Sequence, residues 1–405
     1  MFKCKICNIE IDQEVIDFGY HPVSHHYLKS NTRNEPQLKI PIRLFQCSNC
    51  GTIQLKDLNE IEYYNIQYSW VKQNEPESHL DDLVKNITSL SGVDRDSIVW
   101  GLTYKDKSTV ERFKKIGFKN CRTLYYEENI SSENQSYNIS QIQSFIDNDL
   151  IYELQNKYGF PKVVICRHLL EHAFQPDLFF RAIEKLVSDG CYVIIEIPEC
   201  ARLINKLDYT MLWEEHITYF TQYSLQAAIE LRNLSIMAKK IYSYPYEDCL
   251  IIILSEKDNN VNLIDKSKDK LNKMILDFNH YRESFIGLKS KIQLIFQNLR
   301  EDNNKIAVYG SGHIASTFLN TFELNNYIEF VVDDDKNKAD LLMPGSALPI
   351  KSSKQLHKEN INICLLAMNY ENEKKVRSQN QQFIDNGGIF LPISTQANNN
   401  IYNMT

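Results

Sequence analysis

The chain lacks the marks of a membrane, secreted or nucleic-acid-binding protein. No run approaches the ~20 consecutive apolar residues that a bilayer-spanning helix needs, and Met1-Phe2-Lys3-Cys4 does not open a basic-then-apolar leader. A formal net charge of -7 and a sequence pI near 5.9 supply no basic field for phosphate backbones, which sets nucleic acid aside as the main partner. There is no internal repeat, and no low-complexity tract beyond the asparagine-rich tail after Thr395. Glycine is scarce, 13 in 405 residues, so turns in which bare backbone can pass close to a ligand are few. Single cysteines scattered through apolar runs show no disulfide framework and point to a reducing, cytoplasmic setting with no membrane partner.

What the chain does have starts at its first residues. Cys4-Lys5-Ile6-Cys7 and Cys47-Ser48-Asn49-Cys50 are two C-x-x-C turns, the second followed by Gly51. A lone pair would suit a redox centre as well as a metal. Two pairs joined by a hairpin supply four thiolates to one tetrahedral zinc ion, and with four sulfur ligands no position is left for water. The predicted metal is structural and organises the first fifty residues.

A chain of 405 residues exceeds what one core usually supports, so two or three domains are expected. Strand-like runs alternate with helical patterns: Ser97-Ile98-Val99-Trp100-Gly101, a helix through Val110, Phe113 and Ile116, then Arg122 to Tyr126, Lys162 to Cys166, a helix from Pro176 to Leu186, and Tyr192 to Ile197. Such alternation signals an α/β fold with a doubly wound parallel sheet. From Ile264 to Leu299 apolar residues recur every three or four positions, which predicts a long connecting helix broken near Gly287. Lys305 to Gly312 then opens a smaller Rossmann-like α/β unit. The expected division is 1–60, 61–256, 257–303 and 304–405: a zinc-ribbon module, a doubly wound domain, connecting helix and a second sheet domain.

Two segments carry chemistry. Arg167-His168-Leu169-Leu170-Glu171-His172 follows a predicted strand, where the carboxyl end of a doubly wound sheet meets its ligands. Trp213-Glu214-Glu215-His216-Ile217-Thr218-Tyr219-Phe220 follows the strand ending at Ile197-Pro198. A histidine beside a carboxylate can serve as a general base near neutral pH. The bland alternative is a charged loop and a helix start. In the last domain, Gly310-Ser311-Gly312-His313-Ile314-Ala315 fits a G-x-G-x-x-A turn between strand and helix, with Asp333 ending the next strand, so a diphosphate could lie at the helix N-terminus. Dinucleotide binding and a purely structural turn compete with that assignment, and Asp333-Asp334-Asp335 reads as a solvated strand end.

In this order and spacing the C-x-x-C pairs, Gly19-Tyr20-His21-Pro22-Val23 between them, Arg167 to His172, Glu196-Ile197-Pro198, Glu215-His216 with Tyr219-Phe220, Val308 to Gly312, Val331-Val332-Asp333 and Pro344-Gly345 resemble the three-domain sugar-nucleotide C-methyltransferases of deoxysugar pathways. The resemblance covers nearly the whole length. It implies S-adenosylmethionine as methyl donor and an NDP-linked 4-keto-deoxysugar as substrate, from which a base removes the C3 proton so that the enolate attacks the methyl group. On the family's pattern His216 is the base, Glu215 positions its ring or the sugar, His172 sits near the reacting carbonyl and Tyr68 reaches the sugar. His168 faces the donor side, and the last domain would hold the nucleotide diphosphate through Gly310, Ser311, Gly312, His313 and Asp333. Its Tyr-Gly-Ser-Gly-His wording is also similar to the sugar-nucleotide domain of bacterial acetyltransferases.

Departures from the pattern matter. The family carries a tyrosine and a histidine where this chain has Trp213 and Glu214, and an indole stacks on the sugar but donates no phenolic hydrogen bond. Class I methyltransferases lead their first strand into a glycine-rich turn beneath the methionine part of the donor. Here the turn is Trp100-Gly101-Leu102-Thr103-Tyr104, in which only Gly101 remains, with Glu127 as the candidate for the donor's ribose. The alternative to methyl transfer is therefore a relative that binds, epimerises or isomerises a sugar nucleotide.

Overall fold

The computed structural model describes residues 2–404 apart from 13, 34, 66, 69, 71–74, 125–138, 233 and 257–267. In the first module β1 (Ile16–Pro22), β2 (Lys39–Gln46) and β3 (Ile53–Leu55) form an antiparallel sheet. Each C-x-x-C turn is closed by backbone bonds, Asn8 N–H to Cys4 O at 3.0 Å and Gly51 N–H to Cys47 O at 2.8 Å, and Gly51 takes the left-handed φ of 74° that such a turn requires.

The middle domain is built on β4 (Ile98–Gly101), β5 (Asn120–Thr123), β6 (Val163–Arg167), β7 (Tyr192–Glu199), β8 (Ser235–Ser243) and β9 (Asp248–Ser255), in the spatial order β8-β9-β7-β6-β4-β5. The run Val163 to Cys166 is apolar and buried throughout, as a strand covered on both faces must be. Strands β4 to β7 are parallel, whereas β9 returns antiparallel to β7, and β8, antiparallel to β9, forms the edge. Strand β5 lies earlier than the sequence suggested, ending at Thr123. After β5 the chain crosses to the other side of β4, so β4 and β6 flank a topological switch point. A crevice opens there at the carboxyl ends.

Helix α1 (Lys268–Glu301) connects to the last domain without the break expected near Gly287. Nothing lies within 4 Å of a Cβ built at Gly287, and a single exposed glycine costs a helix only about 1 kcal/mol against alanine, too little to interrupt 34 residues of continuous pattern. The last sheet, β10 (Ile306–Tyr309), β11 (Phe330–Val332), β12 (Ile350–Lys351), β13 (Ile363–Leu366) and β14 (Ile389–Pro392), is parallel in the order β12-β11-β10-β13-β14. Its switch point falls between β10 and β13.

The three units do not merely follow one another. Thr218–Tyr219 leaves the middle domain to add a strand to the first sheet, Thr218 opposite Gln54 and Tyr219 opposite Ile53. Leu341–Leu342 of the last domain pairs with Leu28–Lys29 of the first. One apolar core runs through the first module, α1 and the last domain: Phe18 meets Phe285 edge-on at 4.7 Å, and Phe296, Phe318 and Phe322 continue it. The first module therefore fixes how the two larger domains face each other.

Candidate active site and zinc centre

The zinc centre is the simpler site. Cys4 Sγ lies 3.7 Å from Cys50 Sγ and Cys7 Sγ 3.5 Å from Cys47 Sγ, and all four sulfurs are within 4.8 Å of one another. A zinc ion with four bonds of about 2.3 Å needs sulfur–sulfur edges near 3.8 Å, so the cage fits the metal. Amide donors support one sulfur, Gln54 Nε2 at 3.0 Å and Ile6 N at 3.4 Å from Cys4 Sγ, as expected around an anionic thiolate.

The larger site is a cleft of about 600 Å³ between the middle and last domains, with Ser24, His25 and Tyr27 of the first module in its wall. At the end of β6, Arg167 is fully buried and holds Glu196 in a two-pronged pair, Nε to Oε2 at 2.7 Å and Nη2 to Oε1 at 3.0 Å. His168 next takes φ 49°, a conformation that costs a non-glycine residue energy and recurs at functional sites. Its ring bridges two carboxylates, Nε2 to Glu196 Oε1 at 3.1 Å and Nδ1 to Glu171 Oε1 at 3.3 Å. Burial opposes charge on this ring, but Glu75, Glu171 and Glu196 outweigh it and raise the pKa to about 10. The surrounding carboxylates thus favour the charged form of His168.

The two segments singled out in the sequence meet here. Ile217 N–H donates to Glu171 O at 2.7 Å, and the His172 and His216 rings stand perpendicular with centroids 4.7 Å apart. Burial and neighbouring cations drive both toward the neutral form, His172 well below its usual value and His216 to about 3. Trp213 lies against both and stacks on His313 of the last domain at 4.6 Å and 18°. Glu214 turns away from the cleft and accepts the Ser24 amide at 2.5 Å, with burial and Glu215 pushing its pKa up to about 7. Glu215 is 3.4 Å from His25 Nε2.

On the opposite wall, Gly310 has φ 98°, and a Cβ there would come within 2.6 Å of Ala367 O, so only glycine fits. The helix α2 (His313–Thr321) that follows has no side-chain cap at Gly312. Its first turn, Gly312 and His313, faces the cleft with Ser311. Asp333 is engaged inside the wall, accepting from Ser311 Oγ at 2.6 Å and Lys338 Nζ at 2.8 Å, and Tyr27 donates to Ser311 O at 2.7 Å.

The structure thus brings His172, His216, Trp213, His168, Gly310, Ser311, Gly312, His313 and Asp333 into one cleft wall or the other. Tyr68 packs on Trp70 at 5.1 Å and Tyr27 at 6.3 Å, two of the rings that line the cleft. Glu127 lies outside the described residues. Sequence reasoning missed His25, Tyr27, Glu75, Glu247 and Lys338. The Ser24-His25-His26 cluster between the C-x-x-C pairs was a usable signal for the first two. Glu247, in the turn between β8 and β9, gave none, although burial and Glu75 push its pKa up to about 7.

S-adenosylmethionine fits the described residues in part. Glu75, Glu171 and Glu247 give the cleft carboxylates that suit a sulfonium cation. Among the described residues, however, Asp106 packs on the one glycine of the turn that would cradle its methionine end. A Cβ at Gly101 would meet Asp106 Cβ at 2.5 Å, and Asp106 caps Thr103 N–H at 2.7 Å and Arg167 N–H at 2.9 Å.

Sequence models of three families match this chain: a zinc binding domain over residues 4–63, a methyltransferase domain over 84–239 and a C-methyltransferase C-terminal domain over 255–393. The C-methyltransferase NovU of Streptomyces niveus is 20% identical over 406 residues, spanning 96% of this chain and 94% of its own. Among solved structures, magnesium protoporphyrin IX methyltransferase (ChlM) from Synechocystis PCC 6803, with bound SAH, is 12% identical with a TM-score of 0.29, covering 44% of this chain and 82% of its own. A protein of the NADB-Rossmann superfamily from Streptococcus agalactiae is 9% identical with a TM-score of 0.26, covering 62% and 97%. Zinc-binding, methyltransferase and C-methyltransferase C-terminal domains thus follow one another along residues 4–393, within the span over which the chain aligns with NovU, and these domains make it a transferase.

Proposed function

We propose that the chain is an S-adenosylmethionine-dependent C-methyltransferase acting on an NDP-linked 4-keto-deoxysugar, with His216 as the base that forms the enolate. The observation that carries this reading is the cleft itself: the paired imidazoles of His172 and His216 stand on one wall, the Gly310–His313 turn on the other, and Trp213 touches both. The turn suits a diphosphate, since its glycine backbone and uncapped helix start present N–H donors. The sugar then extends toward the imidazoles. His216 is neutral, the form that accepts a proton, and His172 is placed beside the carbonyl whose oxygen gains charge as the C–H bond breaks. The Trp213 indole offers its face to the sugar ring. When bound, the donor supplies an electrophilic methyl group to the enolate carbon.

A second reading is favoured by Asp106 lying over Gly101: the same enolate could be reprotonated, which epimerises or isomerises the sugar without a methyl donor. Incubation of the holoprotein with methyl-labelled S-adenosylmethionine and thymidine-, uridine- or guanosine-diphosphate 4-keto-6-deoxyhexose separates the two. Label in the sugar nucleotide supports the first reading. A changed sugar without label supports the second, and an unchanged sugar rejects both.

A further inference from the structure

Glu171 is buried to 2% exposure in the cleft wall, and only one of its carboxylate oxygens is hydrogen-bonded. Oε1 faces His168 Nδ1 at 3.3 Å, while Oε2 has no hydrogen-bond partner among the described residues. A buried, unsatisfied carboxylate oxygen is costly and persists where something else is to meet it. The groups available are close: a carboxylate oxygen of Glu171 and one ring nitrogen each of His172 and His216 lie within 4.8 Å of one another. Glu171 is anchored at its backbone and at one carboxylate oxygen. Its backbone carbonyl is tied to Ile217 N–H, and the His168 ring that holds Oε1 is fixed by Glu196, itself gripped by Arg167.

Around His216 the remaining charges are Glu75 on the negative side and Lys105 and His168 on the positive, with the neutral rings of His172, Trp213, Tyr219 and His313 packed against it. A buried imidazole in that company is a feeble base, because burial and the nearby cations outweigh Glu75. An adjacent anion is what the step requires.

Resting on the function proposed above, we propose that Glu171 is the positioning carboxylate of proton abstraction, steadying the imidazolium that His216 becomes. The C–H bond beside the ketone breaks heterolytically. Its electron pair forms the carbon–carbon double bond, the carbonyl π pair moves onto oxygen, and the proton ends on a ring nitrogen of His216 with Glu171 alongside. No oxidant or reductant is needed. The Arg167–Glu196–His168 chain serves to hold that carboxylate in place.

The test is deuterium wash-in at the sugar carbon beside the ketone, followed by NMR in D₂O from about pH 5 to 9 with the three nucleotide-linked 4-keto-6-deoxyhexoses, for wild type, Glu171→Gln and Glu171→Asp. Each protein's zinc content and sugar-nucleotide affinity are measured alongside. Glu171→Gln should bind the sugar nucleotide as wild type does and exchange about 100-fold more slowly across this range, and Glu171→Asp should recover part of the rate. Wild-type exchange in Glu171→Gln, or a slower rate matched by a loss of sugar-nucleotide affinity and not recovered in Glu171→Asp, overturns the proposal. So does a second metal ion per chain that disappears in Glu171→Gln, which would make Glu171, His172 and His216 a ligand set. Wild type that washes in no deuterium fails the parent reading first, and the role of Glu171 with it.

Discussion

His25 Nε2 lies 3.4 Å from Glu215 Oε1, and both side chains are buried, at 5% and 1% exposure. The pair joins the loop between the two C-x-x-C turns to the residue that precedes His216, so the metal-folded module reaches directly into the cleft wall. Burial disfavours charge on His25, but the contact with Glu215 and the nearby Glu214 raise its pKa above the ordinary value. For a group whose folded pKa is raised, the stabilisation is complete below the unfolded value of about 6.5 and is lost as pH rises through the folded value. His25→Gln should therefore lower stability by about 2–4 kcal/mol near pH 6, with the deficit shrinking at higher pH. Urea midpoints across pH measure this; a deficit independent of pH would mean that the ring acts by shape alone.

Zinc removal should damage the cleft as well as the module. Thr218 and Tyr219 are paired with the third strand of the first sheet, so loss of the metal frees both partners. Hydrogen exchange on chelated protein should show lost protection at residues 53–55 and 218–219 together, with the carboxyl-terminal sheet still protected. Cys47→Ser should reproduce the pattern. Protection retained at 218–219 in zinc-free protein would detach the module from the active site.

Arg167 is fully buried with both prongs on Glu196, and Glu196 is held well below its usual pKa: burial opposes this, but Arg167 and then His168 and His79 outweigh it. Arg167→Met leaves that carboxylate buried without its main partner and should cost about 3–5 kcal/mol. Arg167→Met combined with Glu196→Gln should cost clearly less than Arg167→Met alone. Equal losses in thermal unfolding would show that packing of the long side chain, not charge, is what matters.

How much of this was legible beforehand follows from how each signal is carried. The four zinc cysteines and the Gly310–Gly312 turn are local: a fixed spacing imposes the geometry, and the structure places them as spacing demands. Arg167, His168, His172 and His216 were visible as polar residues just past apolar strands, where a doubly wound sheet has its crevice. The His25–Glu215 pair and the Thr218–Tyr219 strand were not legible, because a contact between residues 190 positions apart leaves no local pattern. Gly287 misled for the opposite reason: a helix-weakening residue was read locally, while packing of Phe285 and Ile292 on both sides decided the outcome.

Gly101 supplies a further check. A methyl group there would meet Asp106 Cβ at 2.5 Å and Val110 Cγ2 at 2.9 Å, neither of them the far end of a flexible chain. Gly101→Ala should destabilise the middle domain by about 1–3 kcal/mol through overpacking. Denaturant unfolding reads the loss; a neutral substitution would show that the turn is looser than its capping bonds imply and able to open for a donor.

The central claim is that a histidine in this cleft removes a proton from carbon beside a ketone. The most direct measurement is the wash-in of solvent deuterium at that carbon of a nucleotide-linked 4-keto-6-deoxyhexose by wild type and by His216→Asn, both shown to be folded and to hold one zinc ion. The account predicts exchange in wild type and a fall of about 10²- to 10⁴-fold in His216→Asn with substrate affinity retained. Equal exchange in the two proteins would contradict it.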